Sequence, residues 1–292
     1  MKEEKYFSEL DRKIKNLPKP KIVPAICCWS DLLGFGGKFT ENNWILGERQ
    51  WSEVINRLVN VQTILARFLQ PGYEYSLVLN DGIVRSYLMD NGIDHIQMLS
   101  LWLRSCVFFH NEVLESERKN KLPGLRTIIA AGDRAIHNWD DIKFSDYVYN
   151  YSKVHPSGLS SFERSGNNPT IMINPSPLQM NTAFSKAFIL DEAGSKSGVG
   201  GASFYLDESF LKLLMYLSQE VDHCEGYIWD EYNDKVVFAI PIKGYGHLYH
   251  LGFELELPEI NIDLNALKTK VYKVVSFFPH DEDPKEFKIE IF

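Results

Sequence analysis

Apolar positions fall into runs and stripes along the chain. Residues 21–29 (KIVPAICCW) form a nearly unbroken apolar run between Pro20 and SDLLGFGG, which predicts a buried central strand. Over residues 48–69, Leu58, Val61, Ile64, Leu65 and Phe68 share one helical stripe, which Pro71-Gly72 ends. Residues 73–79 and 83–88 read as strands around Asn80-Asp81-Gly82, a strong hairpin signal. Residues 94–115 predict a long helix with Leu99, Trp102, Cys106 and Phe109 at core spacing. After Pro123-Gly124, residues 125–131 (LRTIIAA) predict another strand. Residues 134–168 are polar, aromatic and Gly/Ser-rich, the pattern of a loop insertion. Strands at 170–173 and 203–206 and helices at 176–192 and 208–221 follow. Residues 235–242 and 247–255 form a hairpin around Lys243-Gly244-Tyr245-Gly246. Residues 264–275 predict a helix and 287–292 a last strand, while residues 1–20 read as a short amphipathic helix.

This order predicts an α+β fold, a mostly antiparallel sheet with packed helices. It divides into an N-terminal helical extension (1–20), a single central domain (21–256) and a C-terminal extension (257–292). At 292 residues with 45% hydrophobic and 24% charged positions, a core of ordinary size is expected. The net charge of −8 shows no basic stripe, which argues against a nucleic-acid partner. Cys27 and Cys28 lie in the first strand with side chains to opposite faces, and no cysteine pair has metal-ligand spacing. Buried thiols in a reducing cytoplasm are the expectation. The charged N-terminus and the absence of a long apolar stretch predict no signal peptide and no membrane partner.

The chemistry concentrates after the first strand. Asp31 lies just past the apolar run, and Gly34, Phe35 and Gly36 follow in a turn. A carboxylate there can hold a metal, and glycine amides can face a phosphate. The same pattern also describes a plain strand-to-helix turn with an aspartate cap. Asp81 at the hairpin tip is ordinary turn chemistry on its own. On neighbouring strands, however, the two carboxylates would repel unless a cation sat between them.

Trp29 to Phe35 resembles the aromatic-x-Asp-Leu-x-Gly-Phe signature of class III adenylate and guanylate cyclases. The resemblance implies a ferredoxin-like cyclase domain. It implies two Mg²⁺ or Mn²⁺ ions per active site, held by Asp31, Leu32 and Asp81. Asn80 stands where that family has glycine. Leu125 to Ile129 is similar to a Leu-Arg-x-Gly-Ile strand, without its glycine. Residues 174–183 resemble the approach to a Val-Asn-x-Ala helix, and residues 242–248 resemble a Val-Lys-Gly-Lys-Gly-x-Leu hairpin. The resemblance makes Asn181 the residue that orients the ribose and Lys243 a triphosphate ligand. Both come from the second subunit of a homodimer with composite sites. The matches run in family order over residues 22–256.

Two departures matter. The family's arginine four positions after the asparagine is Ser185 here, with Lys186 adjacent but about 100° away around a helix. The purine-reading slots look like Leu77 and Asn174, with Tyr73 and Tyr75 nearby. A compact cyclase without a purine pair is similar to the pyrimidine cyclases of bacterial Pycsar antiphage systems. This implies a nucleoside triphosphate substrate, UTP favoured over purines, and cyclic UMP or cyclic CMP as product. The alternative is a catalytically inactive cyclase-homology module that binds nucleotide or a partner. The histidines show no HExxH-like spacing, so no zinc site is predicted, and Gly198–Gly201 lacks Walker or Rossmann context.

Overall fold

The computed structural model describes residues 19–89, 96–136, 178, 180–264, 267–280 and 288–291. Two compact units are distinguished, Met1–Val23 with Arg134–Met180, and Pro24–Asp133 with Asn181–Phe292. Most of the first lies outside the described residues, together with residues 1–18 of the expected 1–20 helix, the expected strand at 170–173 and most of the 134–168 insertion. The second carries the chemistry.

Eleven strands are described: β1 (Lys21–Leu32), β2 (Glu74–Leu79), β3 (Gly82–Tyr87), β4 (Leu125–Ile136), β5 (Phe204–Asp207), β6 (Ile228–Tyr232), β7 (Lys235–Ile242), β8 (Tyr245–Glu256), β9 (Ile260–Leu264), β10 (Leu267–Phe278) and β11 (Ile289–Glu290). Five helices accompany them: α1 (Gly37–Glu41), α2 (Glu48–Phe68), α3 (Ile96–Lys119), α4 (Thr182–Ala193) and α5 (Glu208–Glu220). The sheet runs β2-β3-β1-β4-β5-β10-β8-β7-β6, with β9 and β11 also on β10. β1–β3, β2–β3, β5–β10, β8–β10, β6–β7 and β7–β8 pair antiparallel, and β4–β5 pairs parallel. The α+β expectation holds.

The apolar stripes bury as their periodicity requires. α2 buries Val54, Val61, Ile64 and Leu65 against Phe109, Val113 and Leu114 of α3. α3 turns Leu99, Trp102, Leu103 and Cys106 into a larger core with Phe204, Phe210, Phe238 and Phe253. Each such side chain, fully buried, contributes roughly 1.5–3 kcal/mol.

The C-terminal expectation fails. Residues 264–275 are not a helix. Leu264 pairs with Leu267 at the end of a β9–β10 hairpin, and β10 lies between β5 and β8 in the middle of the sheet. Leu264, Leu267, Val271 and Val274 imitate helical spacing, but Thr269, Val271, Tyr272, Val274 and Val275 are β-formers. The pairing partners on both sides decide the outcome. The segment read as an extension is thus a central part of the sheet. β6 and α1 were not anticipated.

A buried network anchors the β2–β3 hairpin. Arg85 Nε donates to Glu74 Oε2 at 2.8 Å, and Trp102 Nε1 donates to the same oxygen at 2.7 Å. Arg85 Nη2 also reaches Phe68 O and Ser105 Oγ, so α2, α3 and the hairpin meet on one ion pair. Both charged side chains are almost fully buried. Breaking a buried pair from one side strands the other charge, at about 3–5 kcal/mol. Glu74→Gln should therefore lower unfolding stability by about 3 kcal/mol in urea titrations. A loss below about 1 kcal/mol would show that the pair is not holding the hairpin.

Candidate functional site

The site starts with strand register. Asp31 of β1 pairs with Gly82 of β3, the residue after Asp81, and Leu32 N donates to Asp81 O at 3.2 Å. The two predicted metal ligands are thus adjacent, with Leu32 beside them. Asn80 takes a positive φ of 57°, so an asparagine fills the turn position where glycine is usual. Gly82 is required for a different reason, because a Cβ there would overlap the Trp29 ring.

Asp31 is partly buried, and its carboxyl is pushed up to about 7. Burial is the main cause; the neighbouring carboxylates of Asp191 and Asp81 add to it, and Arg126 and Arg57 oppose it. The repulsion that Asp191 and Asp81 exert on Asp31 is of the kind a bound divalent cation would relieve.

Two of these neighbours, Asp191 and Arg57, carried no motif, and Arg126 lies in the Leu125–Ile129 strand, where the resemblance implies no site role for it. Asp191 of α4 accepts from Arg126 Nε of β4 at 2.5 Å, and its backbone carbonyl accepts from Arg126 Nη2. Arg57 donates to Leu33 O at 2.9 Å and pairs with buried Glu117. The available signal was an aspartate embedded in the apolar run AFILDEA. Arg126 also reaches Val199 O, so the Gly198–Gly201 segment serves to receive this arginine.

The glycine turn closes tightly. Gly34 has φ +66°, Phe35 N donates to Leu32 O and Gly37 N donates to Gly34 O. Two of the turn's amides are therefore committed within it. A cavity of about 520 Å³ lies beside the turn, lined by Gly34, Phe35, Gly37, Lys38 and Arg57 among others, and neither aspartate lines it.

Strand alternation sorts the remaining residues. Tyr75 pairs with Ser86, and Leu77 and Trp29 both pair with Val84. These side chains share the sheet face of Asp31, while Glu74 and Arg85 face the core. α4 covers this face: Trp29 packs on Phe184 and Phe188, at ring separations of 5.8 and 5.3 Å. Asn181 is buried there. Its Oδ1 caps α4 by accepting from Phe184 N at 3.0 Å, and its Nδ2 donates to Ser86 Oγ at 3.3 Å. Tyr73 is exposed, and Asn174 lies outside the described residues.

The arginine position holds no cation. Ser185 Oγ donates back to Asn181 O at 3.2 Å, and Lys186 Nζ donates to Ala131 O at 3.0 Å. Lys186 is thus committed to β4. Lys243 is exposed at the β7–β8 turn, where Gly244 takes φ +80°. Between β1 and β7 lie four strands, so Lys243 stands five strand spacings from Asp31, roughly 24 Å. One chain does not bring these two together.

No family model and no curated protein matches the sequence. Among solved structures the chain is similar to a bacterial light-regulated adenylyl cyclase, at 12% identity over 88% of this chain and 53% of that one, with a TM-score of 0.43. The chain thus spans about half of that protein's length. It is also similar to the catalytic core of a rhodopsin-guanylyl cyclase (10% identity, 87% and 97% coverage, TM-score 0.37). A third is the adenylyl cyclase CyaB from P. aeruginosa (10%, 88% and 96%, 0.35). No helix among the described residues is long and apolar enough to cross a membrane.

The raised carboxyl has a measurable consequence. The folded chain keeps the Asp31 proton at pH values where the unfolded chain has released it. Its contribution is therefore greatest below about pH 4 and is lost as the pH rises towards 7. In metal-free buffer, Asp31→Asn should be more stable than the parent by ~1–2 kcal/mol at pH 8 and indistinguishable at pH 4. The full linkage value is discounted because the carboxyl is part-exposed. Parallel pH dependences for the two proteins in denaturant titrations would contradict this picture.

Proposed function

We propose that this chain is a nucleotide cyclase, converting a pyrimidine nucleoside triphosphate, UTP favoured, to a 3′,5′-cyclic mononucleotide and pyrophosphate. The observation that carries the reading is the adjacency of Asp31 and Asp81, with Asp31 held against charge by its surroundings. Asp31, Asp81 and the Leu32 carbonyl would hold two Mg²⁺ or Mn²⁺ ions. When bound, such cations supply Lewis acidity at the ribose 3′-hydroxyl and the α-phosphate.

The 3′-oxygen bonds to the α-phosphorus, the bond to pyrophosphate breaks, and the hydroxyl proton leaves to solvent. The chain's own groups position these atoms. The Gly34–Gly36 turn admits the phosphates at close range, and Leu77 and Tyr75 offer an apolar wall to the base. Asn181 orients the ribose, and Lys243 binds the triphosphate. The separation of Lys243 from Asp31 supports a homodimer whose sites combine two chains. The likeness to Pycsar cyclases extends the proposal to a second-messenger role in bacterial antiphage defence, in the cytoplasm. An adjacent gene for an effector with a cyclic-nucleotide-binding domain would support it.

A second reading has its own observation. With Ser185 bonded to the helix backbone and Lys186 to Ala131 O, no side chain replaces the missing arginine. That favours an inactive cyclase-homology module that binds nucleotide or a partner. Incubation with each NTP and Mn²⁺ or Mg²⁺ decides. Cyclic product that disappears in Asp31→Ala marks an enzyme, whereas no product from any NTP with dimeric protein marks the module.

Composite sites make a sharper prediction. Asp31→Ala and Lys243→Ala should each be inactive alone. Mixed and allowed to exchange subunits, they should recover about a quarter of the parent activity, because half of the dimers then hold one intact site. Activity that stays at zero after verified exchange would place both residues in one subunit's site or outside it.

The base preference follows from Leu77. A site built to read a purine loses on the order of 10²-fold or more without its polar partners. With all four NTPs at equal concentration, cyclic UMP should dominate, and Asn174→Ala should blur the choice. Dominant cyclic AMP or cyclic GMP would show that the base slots have been misassigned.

A further inference from the structure

A second cluster of metal-ligating side chains lies at the opposite side of the sheet. The loop after α5 carries His223 and Cys224, and β8 carries His250. One ligand atom from each of these residues lies within 4.8 Å of the others. A tetrahedral Zn²⁺, with bonds of about 2.0–2.3 Å, spaces its ligands roughly 3.3–3.7 Å apart, so small side-chain adjustments would close the site. The spacing along the chain hides it, because His250 arrives from a separate strand.

The ring chemistry fits ligation. His250 Nε2 lies 3.3 Å from His223 O, and a carbonyl only accepts, so Nε2 is the protonated nitrogen. A neutral imidazole in that form carries its lone pair on Nδ1. Metal-bound histidines characteristically donate their other N–H to a backbone carbonyl in this way, which fixes tautomer and ring orientation. Cys224 and His250 are buried while His223 is exposed, giving a shielded site with one open side. Two imidazoles and a thiol, without carboxylates, suit a borderline-soft cation and not Mg²⁺ or Ca²⁺.

The position is mechanically useful. Lys243 N donates to His223 O at 2.9 Å, Glu225 N donates to Pro241 O at 3.3 Å, and Cys224 forms a β-bridge with Ile242. Gly244 N donates to Glu225 Oε1. The loop that would ligate the cation is therefore the loop that holds the hairpin turn of Lys243.

We propose that His223, Cys224 and His250 bind Zn²⁺, with solvent in the fourth position, and that the ion clamps the 221–227 loop to the β7–β8 hairpin. Coordination takes Cys224 as thiolate, and its proton passes to solvent. The site is independent of the cyclase reading, although it would brace the turn that carries Lys243.

The test uses the full chain carrying Asp31→Asn and Asp81→Asn, so that the other metal site and any cyclase activity are removed. Co²⁺ titration under reducing conditions should give one equivalent per chain, with a thiolate-to-Co²⁺ charge-transfer band and the intense visible bands of tetrahedral cobalt, both displaced by Zn²⁺. Adding Cys224→Ser should abolish the charge-transfer band. Adding His223→Ala, an exposed position whose loss should leave folding intact, removes a direct ligand and should weaken Zn²⁺ binding by at least ~100-fold, the upper end of what even a lost outer partner costs. Absence of stoichiometric binding, or binding unchanged by both substitutions, overturns the proposal without touching the nucleotide assays.

Discussion

Two carboxylates held at the same end of neighbouring strands repel each other, and the β1–β3 register places them there. Asp31 opposite Gly82 sets Asp81 one residue away, at the turn. A slip of one residue would send Asp31 to the core face and Ser30 to the site, because strand side chains alternate. Several features on both faces oppose that slip. Trp29 lies against Gly82, where only a missing side chain leaves room for the ring. Asn80 accepts a backbone conformation that most residues avoid. On the core side, Arg85 and Glu74 tie the hairpin to α2 and α3. Ser30 bonds to Thr127, which in turn meets His110 of α3 at 2.9 Å. Burial drives that histidine down to about 3, so it stays neutral and serves packing.

Legibility in the sequence followed the range of the interactions. β1, the Asn80-Asp81 hairpin, α2, α3 and the β7–β8 hairpin were readable because each carries its periodicity and its turn residues locally. β10 was not. Its apolar spacing fits a helix, and only the strands β5, β8 and β9 on its flanks make it extended. The site divides in the same way. Asp31 and Asp81 stood out because a buried strand and a tight turn announce them. The roles of Asp191, Arg126 and Arg57 did not, since they arise from through-space charge between residues far apart in the chain, 60 positions for Arg57 and Glu117 and 65 for Arg126 and Asp191. The His223–Cys224–His250 cluster is the same kind of case.

α4 shows how one departure propagates. An arginine at position 185 would project a cation from the helix face. Serine instead returns its hydroxyl to the carbonyl of Asn181, and Lys186 on the adjacent face reaches Ala131. Asn181 is meanwhile both the helix cap and the partner of Ser86. Each polar group of this first turn is thus used to hold α4 on the sheet. That arrangement gives a firmly seated helix over Trp29 and leaves neither Ser185 nor Lys186 to project a free cation from its first turn. In the proposed cyclase, charge stabilisation of a developing phosphate would then fall to Lys243 and the bound cations, since preorganised positive charge is what such a step most depends on.

The width of the sheet makes the same demand from another direction. Inserting β10 between β5 and β8 adds a strand spacing between the aspartates and the β7–β8 turn. A lysine side chain spans only a fraction of the resulting ~24 Å. Lys243 is solvent-exposed at a turn braced by the 223–225 loop, with nothing in its own chain's carboxylate cluster within reach. Under the proposed composite site, Lys243 would meet a substrate held by Asp31 and Asp81 across a two-fold contact. On the proposed reading the wide sheet and the distant turn fit together, as two halves of a site that only association of two chains would unite.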